Sequence, residues 1–264
     1  MAARARLDAE LVRRGLARSR QQAAEMIAQG RVCVRGVPAS KPATQIERDT
    51  PVVVTDSDEP QWASRGAKKL IGALDAFDID VQGRRCLDAG ASTGGFTDVL
   101  LDRGAHQVVA VDVGYGQLIW RLQNDPRVRV LDRTNVRRLR PADIGGPVAL
   151  TVADLSFISL RTVLPALAAA TAPDGVLLPM VKPQFEVGRD RLGAGGVVRD
   201  PQRRLAAIAE VTAVARELGL VLRGAVASPL PGPSGNVEYF LWLGGSGTDV
   251  GDAVLAQAVA GGPP

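Results

Sequence analysis

The sequence predicts an α/β protein in two parts: a small N-terminal α/β unit, and a larger unit built on a mostly parallel sheet with helices on both faces. Two observations lead to this prediction. From residue 64 onward, short continuous apolar runs alternate with segments of helical periodicity, which is typical of strands buried on both faces. A glycine-rich turn and a helix join the first two of these strands, an arrangement that places a ligand site at the edge of such a sheet.

The first 55 residues are predicted to form two helices and a few short strands. Leu7 and Leu11 lie at helical spacing, and Gly15 is suited to end that helix. Ser19 is expected to cap a second helix. Short strands are predicted at residues 31–35, 44–46 and 51–55.

Positive charge is concentrated in this N-terminal segment. Residues 1–41 carry nine basic and three acidic side chains, whereas the rest of the chain carries 23 basic and 25 acidic ones. A compact cationic unit of this kind indicates binding to nucleic acid. The alternative is a basic helical face that is simply solvated.

Residues 56–61 are acidic and contain a proline, so they are predicted to be a linker. Trp62 is expected to anchor on the second domain rather than to stack on a base. The predicted boundaries are residues 1–58 for the N-terminal domain, 59–63 for the linker, 64–244 for the larger domain and 245–264 for a tail without an assigned function.

The stretch from residue 84 to residue 112 organises the larger domain. A strand ends at Asp88, a glycine-rich turn and a helix follow, and a second strand ends at Asp112. Glycines allow positive φ and close approach of a ligand, and Asp112 could accept hydrogen bonds from the hydroxyls of a ribose. A dinucleotide site would have the spacing G-x-G-x-x-G, whereas this turn reads D-x-G-x-x-x-G-G. A purely structural glycine turn is the alternative.

The remaining pattern predicts more strands and helices in alternation. Helices are predicted at 118–122, 159–170 and 203–218, and strands at 128–131, 148–153, 175–181, 220–227 and 237–243. Asp88, Asp112, Asp154 and Lys182 all lie at predicted strand ends, where ligands bind in such sheets.

Four charged residues in apolar contexts are expected to meet at that edge: Lys69, Asp154, Lys182 and Glu238. Buried charges are costly unless they are paired, so a salt-bridge network is one interpretation. The functional interpretation is that a lysine takes a proton from a hydroxyl or stabilises the developing alkoxide.

Several classes of function are excluded or disfavoured. Cys33 and Cys86 lie in predicted strands and are expected to be buried, and His106 is the only histidine, so the sequence predicts no metal site and no histidine-based triad. No apolar run approaches the roughly 18 residues of a membrane helix. We therefore expect a cytoplasmic protein without stable membrane insertion.

The N-terminal segment RLDAELVRRGLARSRQQAAEMIAQGRVCVRG, with Lys41-Pro42 after it, resembles the small RNA-binding domain first seen in a ribosomal small-subunit protein. The resemblance implies phosphate contacts from Arg4, Arg6, Arg18, Arg20 and Lys41.

The D-x-G-x-x-x-G-G turn resembles the first motif of S-adenosylmethionine-dependent methyltransferases, and the four charged residues resemble the K-D-K-E tetrad of FtsJ-like ribose 2′-O-methyltransferases. With SRGAKKL, DVGYGQL, DLSFISL, VKPQFEVG and GPSGNVEYFLW, the chain as a whole is similar to the TlyA family of rRNA cytidine-2′-O-methyltransferases, whose members are also called hemolysins. The family implies a Rossmann-like class I methyltransferase domain, S-adenosylmethionine as cofactor and ribosomal RNA or ribosomal subunits as partner. We expect the enzyme to act as a monomer.

The resemblance also implies roles for residues. Lys182 would accept the proton or orient the hydroxyl, Lys69 would hold the target ribose, and Asp154 and Glu238 would position the lysines. Cofactor contacts would come from Asp88, Gly90, Ala91, Ser92, Thr93, Gly94, Gly95, Phe96, Asp112, Asn135 and Asp154. Arg65 and Arg137 would extend the RNA track, and Phe96 and Phe157 are expected to be pocket wall or core.

One segment departs from the family pattern, in which the linker often reads R-x-W-V. Here it reads Pro60-Gln61-Trp62-Ala63. We therefore do not expect the family's linker to couple RNA capture to cofactor binding in the same way in this chain. Three alternatives are an RNA-binding assembly factor without activity, a membrane-active hemolysin, and a pseudouridine synthase. The last is disfavoured because Arg6-Leu7-Asp8, its Arg-Leu-Asp catalytic sequence, lies in the N-terminal helix.

Overall fold

The structure is a computed structural model that describes residues 4–54, 62–188, 192–232 and 234–263. The predicted linker at 56–61 lies outside the described residues. The chain divides into two compact units, Met1–Gln61 and Trp62–Pro264.

The N-terminal unit packs two helices on short strands. Its elements are β1 (Arg4–Arg6), α1 (Leu7–Arg13), α2 (Arg20–Ala28), β2 (Val32–Val34), β3 (Val37–Pro38), β4 (Gln45–Glu47) and β5 (Val52–Val54). Leu7, Leu11 and Ile27 are almost fully buried in its core. The hydroxyl of Ser19 accepts a hydrogen bond from the backbone N–H of Gln22, as predicted for a helix cap.

The N-terminal unit differs from prediction in two places. Residues 4–6 form a strand that pairs with β4, whereas the prediction began a helix at Arg6. This pairing joins segments about forty residues apart, so the local sequence pattern does not predict it. Cys33 is only half-buried, because it lies on a three-stranded sheet that is too small to cover both of its faces.

The larger unit is built on a seven-stranded sheet with the order β11-β12-β10-β9-β6-β7-β8. Its strands are β6 (Arg85–Ala89), β7 (Gln107–Val111), β8 (Val128–Leu131), β9 (Val148–Ala153), β10 (Thr171–Val181), β11 (Val221–Ala227) and β12 (Tyr239–Gly244). Strand β12 runs antiparallel to both of its neighbours, and the pairings from β10 to β8 are parallel.

Helices cover both faces of this sheet, as predicted. They are α3 (Gly66–Phe77), α4 (Gly95–Asp102), α5 (Trp120–Gln123), α6 (Leu160–Ala170), α7 (Pro183–Glu186), α8 (Pro201–Glu217) and α9 (Ala253–Ala260). Neighbouring strand residues point into different apolar clusters: Cys86 packs with α3 and α4, and Leu87 packs with α6 and α8. Burial on both faces explains why these strands read as continuous apolar runs.

The packing settles three further points. Trp62 packs against the cluster around α3 and α4, as an anchor would. Cys86 is fully buried, which raises the pKa of its thiol to about 12 and makes it unreactive. Helix α9 was not predicted, although its Leu255 is fully buried in the core. In the part of the chain that is described, no helix combines the length and the apolar character needed to cross a bilayer.

Candidate active site

The four charged residues predicted to meet do lie at one edge of the sheet. Asp154 and Lys182 directly follow β9 and β10, and Glu238 directly precedes β12. Because β12 is antiparallel, its first residue lies at the same edge as the last residues of the parallel strands. Lys69 reaches this edge from the first turn of α3.

The four residues form two ion pairs. The Nζ atom of Lys182 lies 2.5 Å from Oδ1 of Asp154 and donates a hydrogen bond of 2.9 Å to Oγ of Ser156. The contact with Asp154 is close enough for an ion pair, but it lacks the angles of a hydrogen bond. Lys69 donates a hydrogen bond to Glu238, and both side chains are almost fully buried.

Backbone geometry explains two glycines of the turn. Gly90 has a φ of +90°, and a Cβ there would lie 2.4 Å from the carbonyl oxygen of Asp154. Gly94 has a φ of +104°, and a Cβ there would lie 2.3 Å from a methyl group of Leu122. Side chains rarely adopt this φ, and neither position has room for one.

Asp112 is held rigidly at the mouth of this turn. One carboxylate oxygen accepts the N–H of Ser92 at 2.8 Å, and the other accepts the N–H of Gly114 at 2.7 Å. Each oxygen has a second lone pair, so the carboxylate can still accept bonds from a ligand's hydroxyls.

Three cavities adjoin these residues. The first, of about 480 Å³, is lined by Gly90, Ser92, Asp112, Asn135 and Asp154 together with apolar side chains such as Val136 and Val163. The second, of about 270 Å³, is lined by Arg65, Lys69, Ala91, Thr93, Gly95, Phe96, Asp154 and Lys182 among others. The third, of about 690 Å³, is lined by Lys182, Gln184, Phe185, Asn236 and Glu238 among others.

Two of the residues predicted to bind the cofactor lie outside the linings of these cavities. Gly94 is a buried residue of the turn, and Asp88 is fully buried. One carboxylate oxygen of Asp88 accepts a hydrogen bond of 2.7 Å from the hydroxyl of Thr97, and the other has no partner among the described residues. Burial raises the pKa of Asp88 to about 7, although the hydrogen bond from Thr97 opposes this.

Phe157, expected to be pocket wall or core, lines two cavities but is strongly exposed. Its side chain is 91% exposed at the rim shared by the first and third cavities, and its ring centre lies 5.3 Å from that of Phe185. Its φ is +63°, which is unusual for a bulky residue and places the ring at the rim. Phe96, in contrast, is buried in the core and also lines the second cavity.

Sequence reasoning missed two polar residues of the site. Ser156 is bonded to Lys182, and Glu186 accepts hydrogen bonds from the Ser159 hydroxyl at 2.5 Å and the Leu160 N–H at 2.7 Å. Glu186 thereby ties α7, the short helix after β10, to the start of α6. The motifs DLSFISL and VKPQFEVG contain these residues, but nothing in their spacing shows which polar atoms meet.

The arginines predicted to bind RNA have different surroundings. Arg6 and Arg20 both donate hydrogen bonds of 3.0 Å to the carboxylate of Asp8, and the hydrogen bond from Arg6 is the main reason that the pKa of Asp8 falls to about 2. The buried carboxylate of Glu10 binds Arg13 and Arg14 in the same way.

The other predicted RNA contacts are exposed. Arg4 has a loose ion pair of 3.6 Å with Glu47, and Arg65 donates a hydrogen bond of 2.9 Å to the carbonyl of Pro231. The side chains of Arg18, Lys41 and Arg137 are exposed as well.

Comparison with known proteins agrees with this architecture. Residues 62–245 match the FtsJ-like methyltransferase family, and residues 5–52 match the S4 domain. The 16S/23S rRNA (cytidine-2′-O)-methyltransferase TlyA of Mycobacterium tuberculosis is 65% identical, over 92% of this chain and 91% of the relative. The chain belongs to the TlyA family of FtsJ-like methyltransferases. This confirms the predicted family, the fold class and the prediction of a methyltransferase.

TlyA-family relatives also carry other names. Hemolysin A of Brachyspira hyodysenteriae is 34% identical over 89% of this chain and 97% of the relative. A solved structure, named as a hemolysin of Streptococcus thermophilus, has a TM-score of 0.77 at 36% identity and covers 98% of this chain and 96% of that one. The two-part architecture described above is therefore shared with an experimentally determined relative.

Proposed function

We propose that this methyltransferase transfers the methyl group of S-adenosylmethionine to the 2′-hydroxyl of a cytidine in ribosomal RNA. The observation that carries the proposal is the placement of Lys182, which is paired with Asp154 and lines both the second and the third cavity. A relative that is 65% identical bears the name of this activity.

The first cavity fits the cofactor. Its volume of about 480 Å³ lies within the range of roughly 300–1,000 Å³ that is usual for small-molecule sites. Asp112 offers two fixed oxygens to the ribose hydroxyls, Asn135 lies farther along the wall, and the side-chain-free Gly90 admits a ligand close to the backbone. When bound, S-adenosylmethionine supplies an electrophilic methyl group on a sulfonium.

The tetrad residues would act on the ribose. Lys182, once it has given its own proton to solvent, would accept the proton of the 2′-hydroxyl while the 2′-oxygen takes the methyl group and the electron pair of the broken carbon–sulfur bond stays on sulfur. Asp154 offsets the charge that develops on Lys182. The buried pair of Lys69 and Glu238 forms the adjoining wall and would hold the ribose.

RNA capture is proposed for residues 1–58, with residues 59–63 as linker and 64–244 as the catalytic domain. Exposed Arg18 and Lys41 would bind phosphates, and Arg65 and Arg137 would extend the contact on the catalytic domain. Phe157 and Phe185 at the rim of the third cavity are suited to stack on the base of a nucleotide turned out of its helix.

The test is transfer of tritiated methyl groups from S-adenosylmethionine to ribosomal subunits from a strain that lacks the protein. Mapping ribose positions that resist alkali then identifies the product. We expect one resistant cytidine in each subunit that serves as a substrate. Binding of the cofactor without methyl incorporation into either subunit would contradict the proposal.

The matched variants are Lys182→Ala and Lys68→Ala. Lys182→Ala should keep RNA and cofactor binding and lose transfer, whereas Lys68 is exposed on α3 and its replacement should leave transfer unchanged. Retained transfer in Lys182→Ala would remove the proposed mechanism.

A further inference from the structure

Ser156 occupies a singular position in the catalytic unit. It lies between Asp154 and the exposed Phe157 in the loop after β9, and it lines the first, second and third cavities. Among the described residues, no other lines all three. The place where the cavities meet is the place where a methyl donor and a methyl acceptor from neighbouring cavities would come together.

Ser156 also makes the directed contact of Lys182. Nζ donates a hydrogen bond of 2.9 Å to Oγ of Ser156, whereas its contact of 2.5 Å with Asp154 lacks hydrogen-bond angles. Asp154 compensates the charge of Lys182, and Ser156 adds a second fixed contact on Nζ. Nζ is tetrahedral, so in the neutral amine these two contacts take both N–H bonds and leave the lone pair in the remaining direction, open to a substrate hydroxyl.

We propose that Ser156 is a positioning residue of the methyl transfer, an inference that rests on the proposed function. Its Oγ accepts a hydrogen bond from Lys182, which aims the third direction of Nζ at the ribose 2′-oxygen. As the 2′-hydroxyl gives its proton to Nζ, the positive charge grows on a group that Ser156 already binds. The interaction is therefore stronger in the transition state than in the ground state.

Such an interaction affects turnover more than binding. Hydrogen bonds to charged groups contribute about 1.5–3 kcal/mol, so Ser156→Ala should lower kcat about 10- to 100-fold. The KM values for RNA and S-adenosylmethionine should change less than about threefold, because Lys182, not Ser156, faces the ribose and Asp112 holds the other end of the cofactor.

Conservative replacement gives a second readout. Ser156→Thr keeps an acceptor oxygen, and the exposed position has room for the added methyl group, so kcat should return to within a few-fold of the unchanged enzyme. A role in folding alone would not distinguish alanine from threonine in kcat at equal thermal stability. Ser246→Ala, an exposed serine outside the three cavities, is the matched control.

The experiment measures kcat and KM for the unchanged enzyme and for Ser156→Ala, Ser156→Thr, Ser246→Ala, Lys182→Ala and the double variant Ser156→Ala/Lys182→Ala. Binding of S-adenosylhomocysteine is measured by calorimetry on each. We expect the double variant to be no slower than Lys182→Ala, because Ser156 acts through that lysine.

Three outcomes would overturn the inference. Wild-type kcat in Ser156→Ala, with Lys182→Ala inactive, would remove the role of Ser156 and leave the proposed function intact. Weakened binding of S-adenosylhomocysteine at unchanged kcat would assign Ser156 to the cofactor cavity instead. Full activity of Lys182→Ala would reject the role of Lys182, and that of Ser156 with it, whereas the absence of methyl transfer by the unchanged enzyme would reject the proposed function.

Discussion

Lys69 donates a hydrogen bond to Glu238 although 169 positions separate them, and the two side chains are only 6% and 1% exposed. Both charged groups are buried away from solvent, and each compensates the charge of the other. Removing one partner of such a pair strands the remaining charge in the interior. The pair is therefore a feature of stability as well as of the site.

We predict that Lys69→Met destabilises the protein by about 3–5 kcal/mol, because Glu238 is left buried and unpaired. The measurement is urea unfolding, with the slope of the transition compared between variants. Lys68→Met, at the exposed neighbouring position of α3, should change the free energy of unfolding by less than about 0.5 kcal/mol. Equal losses in the two variants would show that the pair contributes nothing.

A second prediction concerns the pH dependence of stability. The pKa of Asp88 is raised to about 7 in the folded protein, so the folded state binds this proton more tightly than the unfolded state. Its contribution is fully present below about pH 4 and is lost as the pH rises toward 7, by on the order of 4 kcal/mol.

The comparison uses Asp88→Asn, which resembles the protonated carboxyl and does not titrate. Between pH 5 and pH 8 the unchanged protein should lose stability relative to this variant, as measured by urea unfolding at both pH values. Other titrating groups are common to both proteins and cancel. Parallel stability curves would contradict the raised pKa.

A third prediction tests the glycine turn. In Gly90→Ala the new Cβ would lie 2.4 Å from the carbonyl oxygen of Asp154, so the turn or the end of β9 must move. We expect the affinity for S-adenosylhomocysteine to fall at least tenfold by calorimetry. Gly83→Ala is the matched control, since Gly83 also has positive φ, +70°, but its Cβ would meet no atom within 4 Å. It should keep full affinity at a small cost in stability.

The fourth prediction concerns Glu186, which ties α7 to α6. Glu186→Ala removes the acceptor of one buried and one partly buried hydrogen bond, so we expect a loss of about 3 kcal/mol in stability. We also expect a lower kcat, because Phe185 lies in the same short helix and Lys182 directly precedes it. Glu210→Ala is the control. Arg161 pairs with both Glu186 and Glu210, but 46% of the Glu210 side chain is exposed. The control should change stability by less than about 1 kcal/mol, and a comparable loss would contradict the argument.

The strands of the larger unit could be predicted because a strand buried on both faces is apolar at successive positions, which gives an unbroken apolar run in the sequence. These strand predictions also located the strand ends, so Asp154, Lys182 and Glu238 could be predicted to lie close together at one edge of the sheet. Strand β1 and helix α9 could not be predicted this way. Arg4–Arg6 forms a strand only because β4 pairs with it. Helix α9 has no acidic residue in its first turn and no basic residue in its last turn, so the usual charge signals of helix ends are absent.

The polar contacts of the site could be identified only from the three-dimensional structure. The alternation of strands places Ser156 and Glu186 near the sheet edge, but their partners depend on loop paths that no periodicity records. Phe157 shows the same limit, since its positive φ turns an apolar side chain outward, against the expectation for an apolar residue. Sequence reasoning locates such a site and identifies its charges, and loop geometry decides the rest.

The carboxylates of Asp8 and Glu10, buried in the N-terminal unit, neutralise part of the positive charge of its arginines. Four arginines are paired with two acids: Arg6 and Arg20 with Asp8, and Arg13 and Arg14 with Glu10. Together these six residues carry a net charge of +2 instead of +4. Affinity for RNA falls with added salt in proportion to the phosphates that are neutralised, as counterions return to the backbone. Binding by this unit should therefore resist salt better than its number of arginines suggests, with the internal acids holding the guanidinium groups in place for recognition of shape.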